Sequence, residues 1–418
     1  MQHEKRRHFE GFDGLRLLAA ISVIFSHAFL IATGSEESEP VVRLLGPGNI
    51  LGLYGVFTFF IISGFLLARS LASNAGAIAF TVSRVLRIFP GYVCAVLLVG
   101  LVIGPLFTSL PVGQYFSSPE VRNFVRDALN SLGDAYLPGV FASDSGAAGI
   151  VNGSLWSLRY EALSYVFLLF LWISLRSIVR VTWVITVIAV LTWVWPAFAG
   201  TMPGLTYTLP YFAAGVLMQW VYERYHTKPT VALACVGLLA LSALIGIQIY
   251  AFALLGAYLI VFAAERPNIG SRFAEKFGDC SYGLYLYGWP TEQMIRQVTG
   301  THNPWLLFLL AVPMTFVFAL LSCHIIERPA MQMRSTVVAR LKALTRPMMV
   351  ARPAAVLAAK AVFVVGTALI LVSRYRWWYF IESMAELLVW VVAGALLGAV
   401  LNATIVKFAT KKSAVGVS

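Results

Sequence analysis

Apolar segments of about twenty residues recur along the whole chain. We recognise about twelve, at 15–34, 50–69, 88–108, 155–174, 181–199, 205–222, 229–246, 247–264, 281–298, 305–326, 355–373 and 385–406. A helix needs roughly twenty apolar residues to cross a bilayer, and each segment meets that length within a few residues. Hydrophobic residues make up 59% of the 418 positions and charged residues only 12%, which excludes an ordinary soluble protein. We therefore predict an all-α polytopic membrane protein with about 12 transmembrane helices.

The basic residues are distributed unevenly between the two sides of these segments. With the amino terminus placed in the cytoplasm, most of the 31 lysines and arginines fall on the inner side. The outer segments carry few of them: Arg43, Arg122, Arg126, Arg374 and Arg376. This positive-inside pattern predicts that both termini are cytoplasmic. The net charge of +12 is then mainly topological, with contacts to anionic membrane lipids as a secondary effect, and it does not indicate nucleic acid binding.

The segments divide the chain into three parts. The first ten form a continuous block, which we predict as a ten-helix membrane domain at 1–335. A basic cytoplasmic linker follows at 336–354, and the last two segments form a hairpin with a tail at 355–418. We expect this hairpin to be a candidate surface for a homodimer or a partner protein. The scattered cysteines indicate packing residues rather than disulfides or a metal site: Cys94, Cys235, Cys280 and Cys323.

Two further features bear on the organisation of the block. The outer segment 109–154 is its longest loop, and such loops are commonly either functional or disordered, so we consider an acceptor-binding lid and a mobile connector equally. Gly100-x-x-x-Gly104 and Gly394-x-x-x-Gly398 are small-residue patterns that bring helices close together. We interpret both as packing within the chain rather than as dimer contacts.

Arg16 and His27 lie eleven residues apart in the first segment. On an α-helix this spacing places both side chains on one face, about 16 Å apart along the axis. An ionisable side chain inside a membrane helix is costly, so it suggests a functional site. Arg16 is also explained by the positive-inside pattern or by pairing with Asp13. His27 alone fits a buried histidine that bonds a carbonyl as well as a general base, for which its ordinary pKa near 6.5 is suited.

A pair of arginines precedes the third segment. Arg84 and Arg87 are three residues apart, at the end of an inner loop and the start of a helix, and so share a helix face. Guanidinium groups bind phosphate through two parallel hydrogen bonds, which makes this pair a candidate phosphate clamp. Anchoring at the inner membrane face is the alternative explanation.

The fourth segment contains Trp156, Ser157 and Glu161 near its outer end. Ser157 and Glu161 are four residues apart and share a helix face. A buried carboxylate usually has a partner, and Arg159 lies on another face of the same helix. We therefore predict that Glu161 meets a group on a different helix, with His27 as the candidate and a structural ion pair with another basic residue as the alternative.

These segments together resemble the acyltransferase-3 family of bacterial membrane acyltransferases, over about residues 10–335. The resemblance rests on six motifs in order: Phe12-Asp13-Gly14-Leu15-Arg16 with His27, Phe59-Phe60-x-x-Ser63-Gly64-Phe65, Arg84-x-x-Arg87-Ile88-Phe89-Pro90, Trp156-Ser157-Leu158-x-x-Glu161, Ser281-Tyr282-Gly283-Leu284-Tyr285-Leu286 and Glu327-Arg328-Pro329. Members of the family transfer acyl groups, commonly acetyl from acetyl-CoA, to hydroxyls of extracytoplasmic glycans. The resemblance thus implies an inner-membrane O-acyltransferase with acyl-CoA as donor substrate and no permanently bound cofactor.

The same resemblance implies roles for particular residues. His27 would act as the general base, or as a covalent acyl carrier, and Glu161 would orient it. The acyl-CoA would be held by three arginines: Arg16, Arg84 and Arg87. The remaining substrate contacts would come from Asp13, Trp156, Ser157 and Tyr285.

Two positions depart from the family pattern. Many members carry a histidine where this chain has Gly288, and the position of Phe57 is often acidic in the family. A proton-coupled transporter or flippase of a polar or lipid-linked substrate is the competing prediction, because intramembrane histidine, arginine and glutamate can also serve proton coupling. The absence of a visible internal repeat weighs against a transporter built from inverted halves.

Overall fold

The computed structural model describes residues 9, 11–73, 76–131, 136–142, 147–195, 203–266 and 269–349. Within these ranges the chain is helical, and the only strand-like pairings are two isolated bridges, Thr108 with Val140 and Tyr136 with Ile150. The helices are α1 (Gly11–Thr33), α2 (Pro40–Leu45), α3 (Leu51–Ala72), α4 (Ala77–Phe107), α5 (Val112–Ser117), α6 (Pro119–Ser131), α7 (Gly153–Leu175), α8 (Ile178–Val194), α9 (Pro203–Tyr225), α10 (Pro229–Leu244), α11 (Gln248–Ala264), α12 (Ile269–Phe277), α13 (Ser281–Thr299), α14 (Pro304–Ser322), α15 (Arg328–Gln332) and α16 (Arg334–Met349). The all-helical prediction is confirmed for the described chain.

Among the described residues, five helical stretches are long and apolar enough to cross a membrane: α1, α3, α4, α7 and the stretch Pro304–Ala343 that begins with α14. Each of the first ten predicted segments overlaps a helix, although residues 196–199 of the fifth lie outside the described ranges. The eleventh and twelfth segments, at 355–373 and 385–406, lie outside the described residues. The total of twelve spans and the cytoplasmic placement of the termini therefore stay predictions.

The third predicted segment begins earlier than the sequence suggested. Helix α4 starts at Ala77 rather than at 88, so Arg84 and Arg87 lie inside it and not at the end of a loop. The prediction was wrong here because Ala79, Phe80 and Val82 bury one face of the helix ahead of the two arginines. The cytoplasmic linker predicted at 336–354 is helical as far as Met349, since α16 continues the α14 stretch.

Helix α1 lies at the centre of the described bundle, packed against α3, α12, α13 and α14. Small residues allow these contacts to be close. A Cβ added at Gly55 would lie 2.6 Å from the carbonyl oxygen of Ala19 in α1. A Cβ at Gly64 in α3 would lie 2.1 Å from the carbonyl oxygen of Phe212, and one at Gly215 in α9 would lie 2.1 Å from that of Ile61. The glycine in the second motif therefore permits the α3–α9 contact.

The glycine pattern in α4 also serves packing within the chain. Gly100 faces the ring of Phe124 in α6, and Gly104 faces the hydroxyl of Tyr115 in α5. The hydroxyl of Tyr115 donates a hydrogen bond to the carbonyl of Gly100 at 2.7 Å. These contacts confirm the intramolecular interpretation of this pattern and place two helices of the long outer segment against α4.

Candidate active site

Two contacts between ionisable side chains join α1 to the region of α13. A nitrogen of the Arg16 guanidinium lies 3.7 Å from Asp279, just before α13, and His27 Nδ1 lies 3.9 Å from Glu292 Oε2 within it. The later residue on α1 contacts the later residue on α13, so the two helices run in the same chain direction. The prediction that Arg16 and His27 share one face of the first helix is therefore confirmed.

The His27 imidazole is partly enclosed. Its ring lies edge-on against Trp289, with 4.7 Å between ring centroids. Nδ1 is buried without a hydrogen-bond partner, yet 16% of the side chain is exposed. Nδ1 is therefore enclosed, and the exposed fraction of the side chain lies elsewhere than at this nitrogen.

Glu292 is the carboxylate that the sequence analysis did not assign. Its side chain is fully buried, and neither carboxylate oxygen has a hydrogen-bond partner among the described residues. A buried charge without compensation is costly, so the imidazole 3.9 Å away is the natural partner of this group. A carboxylate inside the ninth apolar segment was the available signal, because intramembrane acids are rare and mark functional sites.

Glu161 does not meet His27, so that prediction was wrong. Glu161 accepts hydrogen bonds from the hydroxyls of Ser63, at 3.2 Å, and of Tyr165. Tyr165 lies on the same helix and Ser63 lies on α3, so the carboxylate faces α3 and not α1. The cause is the rotation of α7 about its axis, which depends on packing partners that lie far away in sequence.

An ionic cluster lies at the Arg16 end of α1. Arg87 contacts Asp279 at 2.5 Å and lies 4.0 Å from Glu327, while Arg16 contacts Asp13 at 3.4 Å and Asp279 at 3.7 Å. Burial alone would raise the pKa of Asp279, but the charges of Arg87 and Arg16 outweigh it and hold that pKa at about 2. Asp279 therefore stays ionised at neutral pH and joins the two arginines.

Arg84 stands next to this cluster with less compensation. Its guanidinium lies 5.9 Å from the ring centre of Tyr165, and its buried Nε has no hydrogen-bond partner. It makes no ion pair within 4 Å in the part of the chain that the structure describes. The charges of Arg87, Arg16 and Glu161 nevertheless act on it. Arg16, Arg84 and Arg87 are thus brought together as expected, and Arg84 is the least neutralised of them.

The remaining predicted contacts are divided between buried and exposed positions. The Ser157 hydroxyl lies 2.6 Å from the Tyr285 hydroxyl, which itself donates to the carbonyl of Ser154 at 2.7 Å. Both side chains are buried. Trp156 is 37% exposed and lies edge-on against Tyr160, away from this pair. The roles of Ser157, Tyr285 and Trp156 in substrate binding stay predictions, as does that of Asp13 beside Arg16.

The end of the long outer segment is attached to α13 beside His27. The indole N–H of Trp289 donates to the carbonyl of Ile150 at 2.9 Å, and the Gln293 amide donates to that of Ala147 at 3.0 Å. Asn152 donates to the carbonyl of Leu286 at 2.9 Å. These bonds fix residues 147–152 over the face of α13 that carries Leu286, Trp289 and Gln293.

The two departures from the family pattern are packing positions here. A Cβ at Gly288 would lie 2.8 Å from Cγ1 of Ile24 in α1, so this backbone arrangement has no space for a histidine at that position. Glu292, four residues later, is the ionisable group that α13 presents to His27. Phe57 stacks on the ring of Tyr211 at 3.6 Å and belongs to the apolar core.

The fold and the site define a helical membrane protein. A partly enclosed histidine meets a buried carboxylate in it, about three turns along α1 from a group of arginines. A family model described as an acyltransferase domain matches residues 9–324, and the chain belongs to that family. This match and the O-acetyl transferase relative described below make it an O-acyltransferase. It is 28% identical to "Nodulation protein 10" of Rhizobium leguminosarum bv. viciae over 365 residues, which cover 80% of this chain and 96% of that protein. It is 27% identical to an "O-acetyl transferase" of Shigella phage Sf6 over 346 residues, which cover 76% and 94%. No solved structure matches the chain.

Proposed function

We propose that this protein moves an acyl group, with acetyl as the expected one, from cytoplasmic acyl-CoA to a hydroxyl of an extracytoplasmic glycan or glycolipid, in the bacterial inner membrane. The observation that carries the proposal is the arrangement on one face of α1. Arg16 joins the arginine cluster at one end, and His27 meets a buried carboxylate eleven residues further along. The name of the phage relative, an O-acetyl transferase, supports acetyl as the group transferred.

The donor half of the proposal rests on the arginines. Acyl-CoA carries several phosphate groups, and guanidinium groups bind phosphate tightly and directionally. Arg84 supplies a cation without an ion-pair partner in the described chain, while Asp279 holds Arg16 and Arg87 in place beside it. When the phosphates bind at this cluster, the pantetheine arm of acyl-CoA extends along α1 and places the thioester near His27.

The chemical half of the proposal rests on His27. Nε2 takes the proton of the acceptor hydroxyl as its oxygen attacks the thioester carbonyl. The carbon–sulfur bond breaks, CoA leaves as the thiolate, and the proton passes from the imidazolium to the thiolate. Glu292 lies beside Nδ1, where it stabilises the imidazolium formed in between. The 3.9 Å separation exceeds a hydrogen bond, and contacts of this kind commonly shorten when substrate binds.

A covalent relay is a variant with the same residues. In it Nε2 attacks the thioester carbonyl, the carbon–sulfur bond breaks and CoA leaves as the thiolate. The acceptor hydroxyl then attacks the acyl-imidazole, the carbon–nitrogen bond breaks, and the hydroxyl proton passes through the freed imidazole to the thiolate. This variant separates the donor and acceptor steps, which suits substrates that approach from opposite sides of the membrane. A radiolabelled acetyl group that stays on the purified protein after acetyl-CoA is removed would support it.

The test is His27→Ala in the purified full chain. We expect transfer of labelled acetyl to cell-envelope glycan to fall by about 10²–10⁴-fold, the usual contribution of a positioned base. His324→Ala is the matched control, because that imidazole is exposed and its Nδ1 lies within hydrogen-bond distance of the backbone carbonyl of Leu320. Normal size-exclusion behaviour of both variants shows that folding is intact. Wild-type transfer by a folded His27→Ala protein would contradict the proposal.

A further inference from the structure

We propose that an open cavity at the far end of α1 from Arg16 is a binding subsite for an acidic saccharide, a sugar that carries a carboxylate or a phosphate. The proposal rests on the proposed function, which places this end of the molecule outside the cell. The cavity has a volume of about 620 Å³, within the range of small-molecule sites. Its lining includes Phe29, Thr33, Ser38, Arg43 and Trp305.

Trp305, at the start of α14, supplies a flat apolar wall. Its side chain is 56% exposed, although it is held edge-on by Phe25 at 5.5 Å and Phe29 at 5.4 Å. An exposed indole that is fixed on one side can take the C–H face of a sugar ring against its electron-rich surface. A tryptophan that only anchors a helix at the membrane interface needs no polar groups beside it, but this one shares a cavity with two hydroxyls and a guanidinium.

Arg43 supplies an available cation at the same cavity. Its side chain is exposed and makes no ion pair with the residues that the structure describes. The nearby carboxylate of Glu39 is fully buried and accepts hydrogen bonds from the Ser26 hydroxyl, at 2.8 Å, and the Leu51 amide, at 2.7 Å. Both bonds go to Oε1, and Oε2 is buried without a hydrogen-bond partner among the described residues. Glu39 makes no ion pair with Arg43 within 4 Å, so the exposed guanidinium is left for a carboxylate or phosphate, which it binds bidentately.

Hydroxyl groups complete the polar side of the cavity. The oxygens of Thr33 and Ser38 lie 3.4 Å apart, at the end of α1 and in the turn that follows it. Together with Arg43 they line the same cavity as the indole. The Thr33 hydroxyl donates to the carbonyl of Phe29 at 2.8 Å, so its oxygen is an acceptor for a ligand. An apolar face, paired hydroxyls and a free cation are what a sugar ring with an anionic substituent requires.

The cavity is a remote subsite and not the reaction centre. Phe29 lies two residues after His27, which turns it about 200° around the helix, so the cavity and the imidazole occupy different faces of α1. A saccharide in the cavity is therefore a neighbouring unit of an extended acceptor. Its contacts lower the KM for the acceptor without taking part in the chemical step.

Direct binding to the full chain in phosphatidylcholine nanodiscs tests the proposal, with saturation-transfer NMR as the readout. The probes are glucuronate, glucose 1-phosphate and glucose. We expect both acidic probes to bind at least about tenfold more tightly than glucose, because a charged hydrogen-bond pair adds that much. Arg43→Ala removes this advantage and leaves glucose unchanged, Arg43→Lys retains part of it, and Trp305→Ala weakens all three probes.

The controls separate this inference from the proposed function. Arg122→Ala, at another exposed basic residue of the predicted outer side, leaves all probes unaffected, and His27→Ala binds them as the wild type does. Equal binding of glucose and glucuronate, or an Arg43→Ala protein that binds normally, overturns the saccharide subsite even where acetyl transfer is intact. Displacement of glucuronate by phosphatidylglycerol in the nanodisc also overturns it, because the cavity is then a lipid-headgroup site. Normal binding in a protein that transfers no acyl group leaves the subsite standing while the proposed function fails.

Discussion

His27 Nδ1 lies 3.9 Å from Glu292 Oε2, between two neighbouring helices that run in the same chain direction. The carboxylate is fully buried and has no hydrogen-bond partner among the described residues. Nδ1 and both carboxylate oxygens are therefore buried, while 16% of the His27 side chain stays exposed. In the proposed mechanism this carboxylate orients the base: it favours the tautomer with the proton on Nδ1 and leaves Nε2 to accept one.

Glu292→Gln tests that role, with Glu161→Gln as the matched control. We expect kcat of Glu292→Gln to fall by about 10–100-fold, since one contact to a charged group is worth about 1.5–3 kcal/mol. The pH profile of kcat/KM separates orientation from mere stability. Its acidic limb moves to lower pH in Glu292→Gln, because the imidazolium has lost its counter-charge, and Glu292→Asp restores part of the rate.

Glu161→Gln should leave the pH profile in place, because Glu161 bonds Ser63 and Tyr165 instead of the imidazole. A larger loss and a shifted profile in Glu161→Gln, with Glu292→Gln near wild type, would show that Glu161 is the partner of His27 after all.

Arg84→Ala should weaken donor binding with little effect on folding. Arg84 makes no ion pair in the described chain. Its removal therefore takes the counter-charge away from no paired carboxylate. We expect the KM for acetyl-CoA to rise by about 10–100-fold, the value of one charged hydrogen bond, and Arg84→Lys to be intermediate. Steady-state kinetics and direct titration with CoA measure this. An unchanged KM in Arg84→Ala would contradict the phosphate clamp.

Asp279→Asn should destabilise the protein far more than Asp13→Asn. Asp279 contacts both Arg87 and Arg16, and removing one partner of such a pair costs about 3 kcal/mol or more. Asp13 is 36% exposed, and pairs of that kind are worth at most about 1 kcal/mol. Thermal unfolding in detergent measures the difference, and equal Tm values for the two variants would be the contrary result.

The same carboxylate predicts a pH dependence of stability. The pKa of Asp279 is lowered to about 2, because Arg87 and Arg16 outweigh the effect of burial. A lowered pKa means that the stabilisation is fully present above about pH 4, the range where a free aspartate ionises, and is lost as the pH falls toward 2. The Tm difference between wild type and Asp279→Asn should therefore be constant from pH 5 to 8 and shrink at lower pH.

Gly64→Ala should disrupt the contact between α3 and α9. The added Cβ would lie 2.1 Å from the Phe212 carbonyl oxygen, which is too close for any carbon atom, so the helices must separate. We expect a loss of about 1–3 kcal/mol, typical of overpacking. Gly237→Ala in α10 is the control, because nothing lies within 4 Å of its Cβ. Equal Tm values for both variants would mean that the α3–α9 contact tolerates a wider spacing.

The sequence was most informative where the relevant physics is local. Helical periodicity placed Arg16 and His27 on one face, and their partners on the α13 side confirm it. Periodicity could not tell where α4 begins, because its first turns are amphipathic rather than wholly apolar. It also could not choose between Glu161 and Glu292, since both are acids inside apolar segments and either could be turned toward His27.

The sequence by itself determined that the described chain is helical and built for a membrane, because apolar runs of this length can satisfy their backbone hydrogen bonds in lipid only as helices. It also indicated the family, through short motifs in a fixed order. Only the tertiary structure decided that α13 rather than α7 meets the histidine and that Arg84 is less neutralised than Arg16 and Arg87. It also decided that Ile24 occupies the space where a side chain at position 288 would lie. Those choices depend on how helices far apart in the chain rotate and pack against one another, and no local pattern records that.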